Sequence, residues 1–207
     1  MPLTLTYFNG KGRAELSRLI LAVGGVEYVD QRLGVDGVPA WPAQKEEQPF
    51  GQLPVLTFED GTKIGQSVAI ALYLAQKSPL NLLGDSLEEQ ARTTSVFLQV
   101  NEAFETFGNF WFSTPEAERA EKALAEVTEG ATSKALAALK KYLDTVETDF
   151  VFGDSITLAD LAIFNLRDQL AKFPDEVFPA KVVAIAAKVK QNEKLAAYLE
   201  QRPVTPW

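Results

Sequence analysis

Apolar and polar residues alternate at the beginning of the chain, and this alternation predicts a β-strand over residues 3–8. Helical spacing of apolar residues follows in 13–23, and Gly24 directly afterwards is typical of a helix end. Residues 26–33 have the pattern of a second strand. A strand, a helix and a strand with short links predict a parallel pair with a right-handed crossover.

A second set of short elements occupies residues 50–77. An apolar strand is predicted at 55–58 and another at 62–64, with a Gly-containing hairpin turn between them. Gly65-Gln66-Ser67 then leads into an apolar run that is typical of a largely buried helix. The first part of the chain therefore has the order β-α-β followed by β-β-α.

Only helical patterns appear after a boundary at about residues 78–86. We therefore predict an α/β domain over 1–78 and an all-helical domain over 86–207. Residues 115–149 predict a long helical stretch that is bent or interrupted around Gly130.

Two capping boxes mark helix starts in the second domain. Ser86 has Glu89 three residues later, and Thr157 has Asp160 at the same spacing. The second box precedes residues 161–166, which are apolar nearly all round and predict a buried central helix.

The 207-residue chain contains no cysteine and no histidine. This composition excludes a dithiol redox centre, a Cys–His or Ser–His nucleophile pair and a zinc site of the usual kind. Any thiol that takes part in the chemistry must therefore come with the substrate.

Charge and hydropathy point to a soluble, folded protein, since 46% of the residues are hydrophobic and the net charge is −8. Residues 81–207 carry 20 Asp/Glu against 13 Lys/Arg, which argues against nucleic acid or an anionic membrane as partner. No apolar run approaches the ~20 residues of a membrane span. The first residues lack the pattern of a signal peptide, so we expect a cytoplasmic protein.

The segment from Gln52 to Ser67 combines several features of a binding site. Pro54 stands at the mouth of an apolar strand, where a cis Leu53-Pro54 bond is possible although most X-Pro bonds are trans. Gln66 and Ser67 stand at a helix amino end, which offers backbone N–H groups to an anion. Alternatively, the proline only marks the strand and the serine is an ordinary cap; the combination at this spacing favours a site.

The runs PFGQLPVL and GQSVAIALYLA resemble the glutathione-recognition half of a cytosolic glutathione transferase. Residues 7–15, Tyr-Phe-Asn-x-x-Gly-Arg-Ala-Glu, resemble the sigma class, which includes glutathione-dependent prostaglandin D synthases and lens S-crystallins. The resemblance implies a thioredoxin-like domain followed by an all-helical domain with an apolar substrate pocket. It also implies a homodimer with a role in detoxification and no cofactor beyond glutathione as co-substrate.

The resemblance assigns Tyr7 as the catalytic residue, whose phenol favours the thiolate form of glutathione. Such help is needed because a thiol with an ordinary pKa near ~8.5 is mostly protonated at neutral pH. Alternatively, Tyr7 is a half-buried strand residue that packs with Leu5. Arg13 either orients Tyr7 and strengthens the local field or is an ordinary charge in the first helical turn.

The resemblance also implies a set of glutathione contacts. The acidic residue of the sigma class that reaches the glutathione of the other subunit corresponds to Asn101 or Glu102, and Glu102 can equally be an exposed helix charge. Trp41 and Lys45 can likewise be an ordinary core cover and a loop charge. The implied glutathione-binding residues are Trp41, Lys45, Gln52, Leu53, Pro54, Gln66, Ser67 and Glu102.

The resulting functional prediction is a transferase that conjugates the glutathione thiolate to apolar electrophiles. Aromatic residues of the long helix, among them Phe104, Phe107 and Trp111, are candidates for the electrophile wall, although such a stripe is usually core. The alternatives are a glutathione-dependent isomerase of the prostaglandin-synthase kind, a non-catalytic crystallin-like or ligand-binding relative, and an interaction module of the kind fused to translation factors.

Overall fold

A computed structural model describes residues 2–35 and 37–205 of the chain. The chain forms two compact units: residues up to Leu82 together with the segment from Asn192 onward, and Leu83–Gln191. The division between Leu82 and Leu83 falls inside the predicted boundary at residues 78–86. The last helix, which the prediction of a helical domain over 86–207 includes, groups with the first unit because it packs against the first helix of the chain.

A four-stranded sheet forms the centre of the first unit, with strand order β2-β1-β3-β4. β1 pairs with β2 in parallel, and the β1/β3 and β3/β4 pairs are antiparallel. The predicted parallel pair and the predicted hairpin are therefore confirmed. The strands are β1 (Thr4–Phe8), β2 (Val29–Leu33), β3 (Val55–Thr57) and β4 (Lys63–Gly65).

β1 is covered on both faces, which the alternation of the sequence did not predict. Leu5, Thr6 and Tyr7 are all buried in succession. β1 has a neighbouring strand on each edge, and its polar Thr6 is buried together with the apolar residues on either side of it.

The helices at residues 15–24 and 67–77 match their sequence patterns, whereas the single helical turn at 41–44 was not predicted. Gly25 ends the first helix in a left-handed conformation, with φ of 66°. The last helix lies against the first. These helices are α1 (Glu15–Gly24), the single turn α2 (Trp41–Gln44), α3 (Ser67–Lys77) and, near the end of the chain, α9 (Glu193–Gln201).

The second unit is helical, and Gly130 separates two helices where the sequence predicted an interruption. α7 packs against α4 and α8, and its residues from Leu158 to Leu166 are all buried. No helix in the described part of the chain has the length and apolarity that crossing a membrane requires. The helices are α4 (Leu87–Ser113), α5 (Glu116–Thr128), α6 (Ala131–Leu143), α7 (Leu158–Gln169) and α8 (Ala180–Val189).

Both predicted capping pairs are present. Glu89 accepts from the Ser86 backbone N–H at 2.9 Å, and Ser86 Oγ accepts from the Glu89 N–H at 3.1 Å. The buried Asp160 carboxylate accepts from the Thr157 N–H at 2.8 Å and from the Val151 N–H at 2.7 Å. Burial raises the pKa of Asp160 above its ordinary value, and these hydrogen bonds oppose the rise.

Candidate functional site

The register of the sheet brings separate parts of the predicted site to one end of adjacent strands. Val55 of β3 lies opposite Thr6 of β1 and opposite Gly65 of β4. The residues that follow these pairs toward the same end of the sheet are Tyr7, Pro54 and Gln66.

The Tyr7 ring is packed in the first unit, and its hydroxyl reaches the loop after β1. The residue is 7% exposed, and its ring makes an edge contact with Phe8 at 5.3 Å between centroids. The Arg13 backbone N–H donates to the Tyr7 hydroxyl oxygen at 3.1 Å. This contact joins the predicted catalytic pair through the main chain, while residue 13 itself is exposed.

Gly12 permits this close approach, a role that its place in the sequence break after β1 does not reveal. Its φ is +41°, and a Cβ placed on it would lie 2.6 Å from the Tyr7 hydroxyl oxygen. Any side chain at position 12 would therefore displace the phenol. The available signal was a glycine immediately before Arg13 in the motif that resembles the sigma class.

The prolyl loop, residues 50–54, lies beside the start of α3. The Leu53-Pro54 peptide bond is cis, and Pro54 is buried while Gln52 is exposed. The Gln66 side-chain amide donates to Gln52 Oε1 at 3.2 Å. The structure thus brings together the two glutamines that the sequence placed in one site.

The start of α3 concentrates hydrogen-bond donors. Ser67 is the first residue of the helix, and Gln66 precedes it with φ of 72° and ψ of 112°. A non-glycine residue in such a conformation is uncommon and is often found at ligand sites. The first N–H groups of a helix have no carbonyl partner within it, so this end suits a carboxylate.

Trp41 and Lys45 lie on the segment between β2 and the prolyl loop. The Trp41 ring contacts the Phe8 ring edge-on at 5.9 Å between centroids. Lys45 is exposed, and its Cε lies 3.6 Å from the position that a Cβ on Gly51 would take. Trp41 is therefore next to the strand of Tyr7, and Lys45 is next to the residue that precedes Gln52.

Glu102 belongs to α4 of the second unit, where it is exposed and the neighbouring Asn101 is partly buried. On the same helix, the rings of Phe107 and Trp111 stack with centroids 5.9 Å apart. Phe107 also meets Phe173 edge-on at 5.9 Å. The predicted aromatic stripe thus forms a cluster within the helical unit.

A metal centre is not indicated by the described residues, since no group of three or more acidic side chains is arranged to hold an ion. The site built by Tyr7, the prolyl loop and the start of α3 offers amide, hydroxyl and backbone N–H groups instead. Such donors suit a small peptide-like ligand with carboxylates.

Comparison with known families covers most of the chain. Residues 3–76 match the family described as Glutathione S-transferase, N-terminal domain. Residues 101–202 match the one described as Glutathione S-transferase, C-terminal domain.

Two curated relatives and one solved structure align over nearly their full lengths. The chain is 37% identical to Probable glutathione S-transferase 5 of Caenorhabditis elegans, covering 98% of each chain. It is 35% identical to Hematopoietic prostaglandin D synthase of Gallus gallus, covering 97% of this chain and 96% of the relative. The crystal structure of monomeric Na-GST-3, a glutathione S-transferase of Necator americanus, aligns with a TM-score of 0.83 and 34% identity over 100% of both chains.

Proposed function

This chain belongs to the glutathione S-transferase family, and from that membership we propose that it conjugates the glutathione thiolate to apolar electrophiles, with Tyr7 as the catalytic residue. The observation that carries the catalytic assignment is the Tyr7 hydroxyl, which the Arg13 N–H contacts at 3.1 Å at the end of the sheet that also bears Pro54. Glutathione is the co-substrate, and the reaction needs no other cofactor.

Tyr7 donates its O–H to the glutathione sulfur and so favours the thiolate over the thiol. The phenol oxygen accepts the Arg13 N–H, and accepting a hydrogen bond strengthens the donor at the same hydroxyl. The thiol proton passes to solvent, the thiolate sulfur forms a bond to the electrophilic carbon, and the leaving group departs with its electron pair. Stabilised charge and correct positioning supply the acceleration, without a covalent enzyme intermediate.

The glutathione contacts follow the chemistry of each part of the tripeptide. Gln66, Ser67 and the start of α3 hold the γ-glutamyl carboxylate, because donors converge there. Gln52 and the backbone around the Leu53-Pro54 bond hold the cysteinyl unit. A lysine ammonium and an indole N–H suit the glycyl carboxylate, which assigns Lys45 and Trp41 to it.

The electrophile is assigned to the aromatic residues of the helical unit, among them Phe104, Phe107 and Trp111. Stacked rings supply apolar surface for a hydrophobic ligand.

We place the protein in the cytoplasm.

The subclass proposed is sigma-like, on the motif at residues 7–15 and the 35% identity to the chicken prostaglandin D synthase. That identity also supports a second candidate activity, glutathione-dependent isomerisation, which uses the same thiolate. A homodimer is proposed from the family resemblance, and Phe50, which is 75% exposed just before the site, is the candidate contact with the partner subunit. In that dimer Glu102 of one subunit contacts the glutathione of the other.

The test is a titration of the protein with glutathione, followed by conjugation of an aryl halide and product identification by mass. We expect saturable binding, thiolate absorbance in the ultraviolet at neutral pH and a thioether product. Binding of glutathione without turnover of the halide or of a prostaglandin endoperoxide would indicate a non-catalytic ligand-binding protein. Absence of glutathione binding would overturn the proposed transferase function.

A further inference from the structure

A buried ion-pair network lies behind the loop that reaches Tyr7. Arg18 of α1 is charged and yet 0% exposed, and it stands among apolar residues in the sequence. Its Nε donates to Asp30 at 3.0 Å and its Nη1 to Glu15 at 3.1 Å. Burial by itself lowers the pKa of the Arg18 guanidinium, but the two carboxylates raise it above its ordinary value, so the side chain stays charged.

Arg18 holds the loop that follows β1. Its Nη1 donates to the Gly10 carbonyl at 2.8 Å, and its guanidinium carbon lies 5.9 Å from the centroid of the Tyr7 ring. The loop continues to Arg13, whose N–H contacts the Tyr7 hydroxyl. One buried cation therefore contacts both the tyrosine and the segment that carries its hydrogen-bond partner.

The far end of the network belongs to α9 and the residue that follows it. Glu15 is 1% exposed, and its Oε1 accepts from the Tyr198 hydroxyl at 3.0 Å and from Arg202 Nη1 at 2.9 Å. Burial and the charge of Glu15 raise the pKa of Tyr198, which therefore remains a donor. The hydrogen bond between Arg202 and Glu15 joins residues that are 187 positions apart in the sequence.

The two carboxylate oxygens of Glu15 accept hydrogen bonds from different parts of the network. Oε2 meets Arg18 while Oε1 meets Tyr198 and Arg202. A buried carboxylate that loses one partner keeps its charge uncompensated and moves toward the partners that remain. Loss of the α9 contacts would therefore draw Glu15 toward Arg18. Because the same Arg18 Nη1 donates to Glu15 and to the Gly10 carbonyl, this shift would weaken the hydrogen bond between Arg18 and Gly10.

We propose that Arg202 and Tyr198 are positioning residues for the transferase reaction, acting through Glu15 and Arg18 on the loop that sets the Tyr7 hydroxyl. The C-terminal segment thereby controls how well the phenol stabilises the thiolate, without touching glutathione. This inference rests on the proposed function of Tyr7.

The experiment compares Arg202→Gln and Tyr198→Phe with the wild type, using the pH titration of the thiolate absorbance of bound glutathione. Both variants should shift the titration to higher pH and lower kcat/KM at neutral pH by about fivefold to tenfold, with the loss mainly in kcat. Arg167→Gln is the matched control, because Arg167 is also 18% exposed and also pairs with a carboxylate, that of Asp175 in the second unit. It should change thermal stability and leave the titration unchanged.

Titrations of both variants that coincide with the wild type would overturn the inference and leave the network a purely structural one. Should Arg202→Gln fail to fold, Tyr198→Phe decides alone, since it removes one hydroxyl and keeps the ring. Absence of a thiolate signal in the wild-type protein would overturn the proposed function itself. Failure of the positioning role alone would instead give a normal wild-type signal that both variants share.

Discussion

The Arg13 backbone N–H lies 3.1 Å from the hydroxyl oxygen of Tyr7. The loop between β1 and α1 therefore sets the phenol's position together with the strand that carries it. A backbone donor cannot be removed by truncating a side chain, so variants of Tyr7 and of Gly12 are the direct way to test this arrangement.

Tyr7→Phe removes the hydroxyl and keeps the ring in the core. We expect kcat/KM to fall roughly 100-fold, the cost of losing one donor to a developing anion. The thiolate absorbance of bound glutathione should decrease at neutral pH. Tyr142→Phe, at a tyrosine that is 38% exposed in the second unit, is the control and should retain activity. Unchanged thiolate absorbance in Tyr7→Phe would show that the phenol does not stabilise the sulfur.

Gly12→Ala introduces a Cβ 2.6 Å from the Tyr7 hydroxyl oxygen. Activity should fall nearly as far as in Tyr7→Phe, because the phenol must move away. The control is Gly61→Ala, where φ is +86° but the added Cβ would point into open space. Both variants should lose about 1 kcal/mol of unfolding free energy from the unfavourable φ, as chemical denaturation would measure. Full activity in Gly12→Ala would mean that the loop yields without moving Tyr7.

Gln66→Gly should separate stability from binding. Relief of the unfavourable backbone at φ of 72° should stabilise the fold by about 1 kcal/mol. Loss of the amide that serves a charged ligand should raise KM for glutathione about tenfold. Asn81→Gly, at φ of 49°, is the control, which should gain stability with KM unchanged. Thermal unfolding and initial rates measure the two effects, and an unchanged KM in Gln66→Gly would remove Gln66 from the glutathione site.

Phe50→Ser tests the proposed homodimer by sedimentation velocity across a dilution series. Phe50 is 75% exposed, and its loss should shift the wild-type dimer toward monomer by removing apolar surface from the interface. Phe112→Ser changes a phenylalanine that is 74% exposed and should leave the assembly unchanged. A monomeric wild-type protein would contradict the dimer and with it the role of Glu102 at a partner's glutathione.

Local patterns in the chain predicted most of the elements correctly. The hairpin, the start of α3, both capping pairs and the break at Gly130 depend on residues a few positions apart, so turn and cap chemistry reveals them. The motif around Pro54 identified the family in the same way, because its residues are close in sequence.

The sequence by itself therefore determined the α/β and helical halves, the thioredoxin-like order of elements and the membership of a transferase family. Only the tertiary structure placed α9 with the first unit, set Gly12 against the Tyr7 hydroxyl and joined Glu15 to Arg202. The physical reason is that periodicity and capping act over one or two turns of chain. Contacts between residues far apart in sequence depend instead on how whole elements pack and on which buried charges must find a partner.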